Sequence, residues 1–180
     1  MEENRKPSHF CALVVMRLPD AMECLAADAG ATVECLVIDY RKAGGSIQVK
    51  WAGGNNNEKE TPFVDMVSTL RREVLDELGV EICLSDKALS GRIIFNKEVS
   101  REHKKYFFFV SGDEIVGKLR KTLYDDDGDE VLSPPYWKEA EALAREIFLS
   151  HRPALINALK FICRNFEQTR AKYSRLLKTA

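Results

Sequence analysis

Hydrophobic residues between positions 67 and 78 recur every three or four residues, which is the period of an α-helix. The apolar stripe of this helix consists of Val67, Leu70, Val74 and Leu78. Three carboxylates, Glu73, Asp76 and Glu77, fall within an arc of about 100° on the opposite side. The pattern therefore predicts a helix that buries one side and gathers negative charge on the other.

The predicted helix has recognisable signals at both ends. Thr61 is a suitable N-cap, and Pro62 suits the first helical position, where its missing N–H leaves no hydrogen bond unmade. Gly79 suits the left-handed conformation in which many helices end. We therefore expect the helix to occupy the segment between Thr61 and Gly79.

Short apolar runs elsewhere predict β-strands. The predicted strands cover residues 10–17, 32–41, 46–51, 81–84, 89–99 and 104–111. Residues 42–45 predict a hairpin turn, and residues 53–57 predict a flexible glycine and asparagine turn. Further helices are predicted at 19–29, 137–149 and 151–178, and an acidic loop at 125–130. This order predicts a mixed sheet with helices on its faces, in the α/β or α+β class.

Length and composition agree with one globular domain. With 180 residues, of which 45% are hydrophobic and 31% charged, the chain can bury a substantial core. We expect a main domain over residues 31–160, an N-terminal extension over 1–30 that packs on it, and an extension of the C-terminal helix over 161–180. The net charge of −1 gives no argument for nucleic-acid or membrane binding.

The cysteines and the N-terminal residues favour a cytoplasmic protein. Five cysteines without a CxxC pair indicate a reduced chain rather than a disulfide framework or a zinc site. Cys11, Cys35 and Cys83 lie within apolar runs and are expected to be buried. The apolar stretch at 10–16 ends at Arg17 without a cleavage site, which predicts a strand rather than a signal peptide. No run approaches transmembrane length.

The three carboxylates of the predicted helix allow two interpretations. In one, they belong to an ordinary solvated surface, where Arg72 pairs with Asp76 one turn away and contributes a few tenths of a kcal/mol. In the other, they hold a divalent cation that relieves their mutual repulsion. Hard oxygen ligands of this kind suit Mg²⁺ or Mn²⁺. The helix alone does not decide between the two.

A glycine turn precedes the carboxylates, and a glycine follows them. Gly54 is followed by five residues and Glu60, and residues 72–80 read Arg-Glu-Val-Leu-Asp-Glu-Leu-Gly-Val. This resembles the signature box of the Nudix hydrolases, which is Gly, five residues, Glu, seven residues, then Arg-Glu-apolar-x-Glu-Glu-x-Gly-apolar. The sequence Trp-Ala-Gly-Gly at 51–54 is similar to the family's aromatic-x-Gly-Gly approach, and the resemblance covers roughly residues 31–160. Because several fixed positions match, the metal site becomes the favoured interpretation.

Two departures from the family box concern its geometry. Eleven residues rather than seven separate Glu60 from Arg72, and four extra residues within a helix add about 6 Å. The resemblance implies that Glu60 pairs with Arg72 and braces the helix, which this spacing permits only if the loop doubles back. Asp76 stands where the family usually has Glu, so its carboxylate reaches less far.

The resemblance implies a Nudix-like α/β/α sandwich with a mixed sheet and a long C-terminal helix. It also implies an Mg²⁺-dependent hydrolase, with Mn²⁺ as a second possible metal. The implied metal ligands are Glu73, Asp76, Glu77 and the backbone carbonyl of Gly54. The implied catalytic residues are Arg72, Glu73 and Glu77. The candidates for the general base are Glu73 and, in later segments, Glu114, Asp127, Asp129 and Glu130.

Basic residues flank the two later strands and could contact substrate phosphates. They are Arg92, Lys97, Arg101 and Lys105. Arg92 and Lys105 are the preferred substrate-binding candidates, with a solvated surface side chain as the alternative for each. Of the alternating rings at 106–109, one pair is expected to face the core, and the other either stacks on a base or lies under a helix. The histidines, His9, His103 and His151, have no spacing that suggests a metal site or a triad.

The last predicted helix carries a heptad seam. Its members are Leu155, Leu159, Ile162, Phe166, Thr169, Tyr173 and Leu176. A helix over 153–178 would extend about 39 Å, which is more than a small domain needs to cover. We expect the seam to pack on its own core up to Phe166, and beyond it either to continue in that way or to form a homodimer contact.

Two functions are favoured by these observations, and a third possibility is an interaction protein that acts through its C-terminal helix. The leading one is a Mg²⁺-dependent hydrolase that cleaves a pyrophosphate bond in a nucleoside diphosphate linked to another moiety. The alternative is a Nudix-fold binding or regulatory module with weak or no catalysis, which the stretched box and Asp76 favour. The expected partner is a small-molecule nucleotide rather than a nucleic acid or a membrane. The sequence leaves the base and the sugar of the substrate open.

Overall fold

A mixed β-sheet forms the centre of the molecule in the computed structural model, which describes residues 8–17, 32–56, 66–101, 103–126, 130–163 and 173–178. The strands are β1 (Ser8–Arg17), β2 (Glu34–Lys42), β3 (Gln48–Lys50), β4 (Ala52–Asn55), β5 (Val80–Ile82), β6 (Ile93–Ser100), β7 (His103–Ser111), β8 (Ile115–Gly117), β9 (Tyr124–Asp126), β10 (Glu130–Leu132) and β11 (Tyr136–Glu139). The α-helices are α1 (Met66–Leu78), α2 (Asp86–Ser90), α3 (Ala140–Glu146), α4 (Arg152–Cys163) and α5 (Ser174–Lys178). Short 3₁₀ turns lie at Gly112–Glu114 and Leu149–His151.

β1 lies in the middle of the sheet. Within the described ranges, nine strands form this sheet in the order β6-β7-β1-β2-β10-β9, with β3 and β11 joined to β2 and β4 joined to β1, while β5 and β8 pair separately. β1 is parallel to β7 and antiparallel to β2 and β4. All the side chains of residues 11–16 are buried, as expected for a continuous apolar run covered on both faces. Residues 11–16 therefore contribute to the hydrophobic core, and the division of the chain into a main domain and extensions stays a prediction.

Helices cover both faces of the sheet, and alternate residues of β1 and β7 belong to one face or the other. The core on one side, which we call the α1 face, includes Cys11, Leu13, Val15, Phe108, Leu70 and Val74. The core on the other side, the α4 face, includes Ala12, Val14, Phe107, Phe109, Leu155 and Leu159. This arrangement is a mixed sheet between helical layers, so the predicted α/β/α class is confirmed.

The predicted carboxylate helix is present as α1. Its apolar stripe, Val67, Leu70, Val74 and Leu78, is buried against the sheet. Gly79 ends the helix with a φ of 76°, and its N–H donates to the carbonyl of Leu75 over 3.0 Å. The predicted cap at Thr61 and Pro62 lies outside the described residues, as do Glu60 and the predicted helix at 19–29.

The strand predicted at 89–99 begins later than expected. Leu89 and Ser90 belong to α2, and β6 begins at Ile93. The hydroxyl of Ser85 accepts a hydrogen bond from the N–H of Ala88 and caps the helix. The helix cap at Ser85 therefore makes Leu89 and Ser90 helical, although the apolar run predicted a strand there.

Two segments pair with the sheet instead of forming the predicted loop and helix. The acidic loop predicted at 125–130 contains parts of β9 and β10, which are antiparallel to each other, and Asp127 and Asp129 lie outside the described residues. Residues 137–139, predicted as helical, belong to β11, and α3 covers only Ala140–Glu146. Both β10 and β11 form backbone hydrogen bonds with β2, and this long-range pairing cannot be read from the local sequence pattern.

The prediction of one helix over 151–178 is wrong in its last part. α4 ends at Cys163, Tyr173 lies in a turn, and α5 contacts α4, which two ends of one straight helix cannot do. The Tyr173 hydroxyl accepts a hydrogen bond from the N–H of Val33 over 2.9 Å, and Leu176 packs on the same core. Phe166 and Thr169 lie outside the described residues. At Tyr173 and Leu176 the seam therefore serves this chain's own core, and the homodimer stays a prediction.

Cysteine burial follows the prediction except at one position. Cys11, Cys35 and Cys163 are buried, whereas Cys83 is exposed. Cys83 directly follows β5, where the chain leaves the sheet for the turn before α2. In the part of the chain that the structure describes, no helix is long and apolar enough to cross a membrane.

Candidate active site

The prediction of a turn over 53–57 is wrong at Gly53 and Gly54, which belong to strand β4 and pair with β1; these two residues are called the glycine turn below. Gly53 lies opposite Ala12, and Gly54 lies opposite Cys11, in the pairing of β4 with β1. A Cβ on Gly53 would lie 2.1 Å from the carbonyl oxygen of Cys11 and 2.5 Å from the Cα of Ala12. The φ of Gly53, 150°, also disfavours any other residue. The absence of a side chain therefore lets Gly53 lie directly against β1.

Glu77 is held at this turn by two donors. One carboxylate oxygen accepts from the N–H of Gly53 over 2.5 Å, and the other accepts from the Lys50 ammonium over 3.0 Å. The side chains of Lys50 and Glu77 are only 14% and 7% exposed. Burial raises the pKa of Glu77, although the Lys50 charge and the Gly53 N–H act in the opposite direction.

Glu73 lies against Gly54. A Cβ on Gly54 would come within 2.5 Å of the carboxylate carbon and both carboxylate oxygens of Glu73. Burial raises the pKa of Glu73 to about 7, the adjacent Arg72 charge opposes this rise, and the negative charge of Glu77 adds to it. Gly54 therefore leaves a space that a carboxylate fills, and the two carboxylates are close enough to repel each other.

Arg72 fixes Glu73 to the end of β4. Its guanidinium lies 2.8 Å from a Glu73 carboxylate oxygen and donates to the carbonyl of Asn55 over 3.0 Å. Its distance to Asp76 is 4.0 Å, at the limit of an ion pair. The surface pairing with Asp76 is thus secondary to the contact with Glu73. The expected pairing with Glu60 lies outside the described residues.

Asp76 is not brought together with the other two carboxylates. Its side chain is 43% exposed, compared with 13% for Glu73. Among the residues that the structure describes, no group of three or more His, Cys, Asp and Glu side chains is arranged to hold a metal ion. Two of the three predicted carboxylate ligands therefore converge on the glycine turn, and ligation by Asp76 stays a prediction.

The chemistry of this donor set fits a divalent cation. Glu73 and Glu77 supply hard oxygen atoms, Gly54 allows the Glu73 carboxylate to approach the backbone of β4 closely, and the mutual repulsion of the carboxylates would be relieved by positive charge. In the geometry described here, Lys50 and Arg72 supply that positive charge. The arrangement can hold a cation, accept a proton or orient a polar substrate.

Two of the later general-base candidates, Glu114 and Glu130, are engaged elsewhere, and Asp127 and Asp129 lie outside the described residues. Glu114 forms an ion pair with Arg92 at 2.7 Å and also accepts from the N–H of Ser111. Glu130 accepts from the Tyr40 hydroxyl over 2.9 Å. Because Arg92 and Glu114 neutralise each other, Arg92 is a weaker candidate for substrate binding than its sequence position suggested.

Lys105 lies at the same end of the sheet as the glycine turn. It is opposite Phe10 in β1, and Phe10 is opposite Asn55 in β4, so two strand spacings, about 10 Å, separate Lys105 from the end of β4. The ammonium lies 5.0 Å from the centre of the Phe10 ring. Burial lowers the pKa of Lys105, and the charge of Lys97, opposite it on β6, lowers it further. Arg101 is exposed.

Two residues at the site were missed by sequence reasoning. Lys50, the last residue of β3, binds Glu77 across 27 residues of sequence, and its only signal is its place beside Trp51 before the glycine turn. Arg120 donates through its backbone N–H to the carbonyl of Leu78 over 2.8 Å and through its side chain to the carbonyl of Glu77 over 3.0 Å. It thereby satisfies carbonyl groups at the C-terminus of α1, where positive charge is favourable.

His151 has a structural role on the α4 face. Its Nδ1 accepts from the N–H of Trp51 over 3.2 Å, so the imidazole anchors the strand that leads into the glycine turn. Burial lowers the pKa of His151 to about 3, and the charges of Lys50 and Lys105 lower it in the same direction. His9 contacts the Thr69 hydroxyl at 3.0 Å. Neither contact was predictable from histidine spacing.

Comparison with known proteins identifies the fold. No family model matches the sequence, and no curated protein matches it. Among solved structures, a MutT NUDIX hydrolase from Burkholderia pseudomallei has a TM-score of 0.53 at 13% identity and covers 84% of this chain and 97% of its own. A mutT/nudix family protein from Listeria innocua has a TM-score of 0.51 at 14% identity and covers 91% and 99%. The E. coli ORF135 protein has a TM-score of 0.52 at 12% identity and covers 87% and 91%.

Sequence identities this low establish a likeness of fold rather than of substrate. The structural likeness spans most of each chain. It is consistent with the proximity of the box residues Glu73 and Gly54 in this structure. This chain therefore has the fold of the Nudix hydrolases.

Proposed function

We propose that this protein is a divalent-cation-dependent hydrolase that cleaves a pyrophosphate bond in a nucleoside diphosphate linked to another moiety. The observation that carries this proposal is the approach of Glu73 and Glu77 to the Gly53–Gly54 turn. These are box positions in the sequence, and the contact between them depends on glycines that no larger residue could replace without displacing Glu73 or β1. An ordinary salt-bridged surface helix requires no such turn.

Glu73, Glu77 and the carbonyl of Gly54 are the proposed cation ligands, with Asp76 as a further candidate. When bound, Mg²⁺ or Mn²⁺ neutralises substrate phosphates and lowers the pKa of bound water. Arg72 keeps the Glu73 carboxylate beside the turn. Glu73 is also the proposed general base, because it is the box carboxylate that Arg72 holds beside Gly54.

Lys105 is the proposed contact for a substrate phosphate. It lies at the glycine-turn end of the sheet, but on the α4 face, where the Phe10 ring and Lys97 are beside it, whereas Glu73 and Glu77 lie on α1 across the sheet. Two facing lysines repel each other, and an anion between them would relieve that repulsion. The proposed partner is thus a small anionic nucleotide, and a cytoplasmic location stays a prediction.

A panel of substrates tests this function directly. Activity with Mg²⁺ and with Mn²⁺ would be measured on nucleoside triphosphates, ADP-ribose, nucleotide sugars, dinucleoside polyphosphates and dinucleotide cofactors. For any substrate that is cleaved, Glu77→Gln should lower kcat/KM by about 100-fold or more, because a carboxylate at the proposed metal is lost. The matched Asp76→Asn change should cost less than about tenfold, because Asp76 lies outside the converging pair. Undiminished activity of Glu77→Gln would contradict the metal-site assignment.

The alternative function is a Nudix-fold binding or regulatory module. One observation favours it: both oxygen atoms of Glu77 already have donors within the protein. Such a module would bind a member of the same panel without cleaving it. Complete inactivity together with measurable nucleotide binding by calorimetry would support this alternative over hydrolysis.

A further inference from the structure

The Lys50–Glu77 pair occupies the centre of the proposed metal site. The Lys50 ammonium lies 3.0 Å from one Glu77 oxygen, 3.4 Å from the carbonyl of Gly53 and 5.0 Å from the centre of the Tyr40 ring. The second Glu77 oxygen accepts from the Gly53 N–H. Both side chains of the pair are largely buried. A positive charge of the chain itself therefore stands at the carboxylate that is the best candidate ligand.

We propose that Lys50 is a displaceable internal counter-ion, which a divalent cation must remove from Glu77 and which thereby sets the affinity of the site for metal. This inference rests on the proposed function, because it takes Glu77 to be a metal ligand. It assigns Lys50 a positioning role rather than a contact with the reacting atoms.

Electrostatics explains why such a counter-ion is useful. A buried carboxylate without a partner is strongly unfavourable, and the Gly53 N–H satisfies only one of the two oxygens of Glu77. Lys50 provides the missing partner whenever no metal is bound. α1 is therefore not distorted by an unpaired charge, and Glu77 stays at the glycine turn.

The same geometry makes Lys50 and a divalent cation competitors. A metal bound to the oxygen that Lys50 contacts would lie close to the ammonium, and like charges in a largely buried site repel strongly. The Gly53 N–H does not compete, because it donates to the other oxygen. The flexible four-carbon stem of lysine allows the ammonium to leave without movement of β3.

Metal binding without substrate tests the proposal. Mn²⁺ affinity would be measured by calorimetry for the full chain and for Lys50→Met, which keeps an unbranched stem but removes the charge. Lys50→Met should bind Mn²⁺ about tenfold more tightly, since one hydrogen bond to a charged group no longer has to be broken. Mn²⁺ should also raise the Tm of Lys50→Met more than that of the unmodified protein. Lys87→Met, on the exposed surface of α2, is the matched control and should leave the affinity unchanged.

A second measurement needs no substitution at the site. Amine-reactive labelling of the unmodified protein, read out by mass spectrometry, should increase several-fold at Lys50 when Mn²⁺ is added, and should not change at Lys87. This result keeps the proposal testable even if Lys50→Met fails to fold. Unchanged or reduced labelling of Lys50 at saturating Mn²⁺ would overturn the proposal.

The outcomes separate this inference from the proposed function. If the unmodified protein binds Mn²⁺ but folded Lys50→Met binds it no more tightly, the proposed displacement of Lys50 by metal is wrong. The proposed metal site would still be supported. If neither protein binds Mn²⁺, both the metal site and the role of Lys50 are wrong. Tighter binding by Lys50→Met together with metal-dependent labelling supports both.

Discussion

At the end of the sheet where the glycine turn lies, the two faces differ in the charge of their buried polar groups. On the α1 face, Glu77 and Lys50 are kept as a charged pair in a largely buried position. On the α4 face, His151 is buried among aromatic rings and is held neutral, with a pKa of about 3. Both environments lie next to Trp51, which joins β3 to β4. The difference in charge therefore does not come from a difference in burial.

This contrast indicates where chemistry is to be expected. The rings of Phe10, Phe107 and Phe148 lie 5.7, 5.0 and 5.6 Å from the imidazole of His151, an arrangement that is satisfied by packing and one hydrogen bond. A charged pair, in contrast, gains little over well-packed apolar residues as a source of stability. The retention of Lys50 and Glu77 as ions beside the glycine turn is therefore better explained by ligand binding than by folding.

The largest expected effect comes from two neighbouring residues of β7 that belong to opposite faces. Phe107 lies in the α4-face core and Phe108 in the α1-face core, and both are fully buried. Phe107→Ala and Phe108→Ala should each lower the free energy of unfolding by about 3–5 kcal/mol, because each leaves a large cavity. Urea unfolding followed by circular dichroism measures both values.

Milder changes at the same positions separate stability from function. Phe108→Leu loosens the core beneath α1, the helix that carries Glu73 and Glu77, and should weaken Mn²⁺ binding. Phe107→Leu should leave Mn²⁺ affinity nearly unchanged at a similar loss of stability. Equal losses of affinity in both variants would show that the two faces are not functionally distinct.

Local periodicity correctly predicted which side chains are buried in those elements where the alternation of apolar and polar residues decides burial. The apolar run of β1 and the stripe of α1 predicted burial correctly, and the period of the rings in β7 correctly divided Phe107 from Phe108. Periodicity failed at residues 137–139, since the choice between a helix and a strand depended on the free edge of β2. A backbone partner distant in sequence leaves no trace in local spacing.

The same limit applied to the site. Glu73, Glu77 and Gly54 were predictable because they stand at fixed positions of one box. Lys50 and Arg120 reach Glu77 across 27 and 43 residues, and neither carries a pattern of its own. Asp76 shared the helical spacing of the other carboxylates, but its shorter side chain stays exposed. Spacing thus identified which residues share a helix side, while burial and partners distinguish their environments in the fold.

A smaller change on the α1 face should lower activity without unfolding the protein. Gly54→Ala places a Cβ where the Glu73 carboxylate lies, and the end of that flexible side chain can move away. We expect a loss of about 100-fold in kcat/KM, or about 2.7 kcal/mol, with a loss of stability below about 1 kcal/mol. Gly91→Ala is the control, because a Cβ there meets only an ordinary contact with the carbonyl of Ala88. Full activity in Gly54→Ala would mean that Glu73 need not lie beside the turn.

The last effect concerns the α4 face and develops only as the pH falls. Because the pKa of His151 is about 3 in the folded protein and about 6.5 in an unfolded chain, the unfolded state binds more protons between these values. The contribution of His151 to stability is complete above pH 6.5 and falls as the pH decreases, by up to about 1.4 kcal/mol per pH unit. His151→Gln keeps an acceptor for the Trp51 N–H but does not titrate, so its urea-unfolding free energy should fall less steeply between pH 6.5 and 4.5 than that of the unmodified protein. Parallel curves would mean that His151 is not held neutral, and the charged α1 face would then no longer differ from its neighbour in how it buries a titratable group.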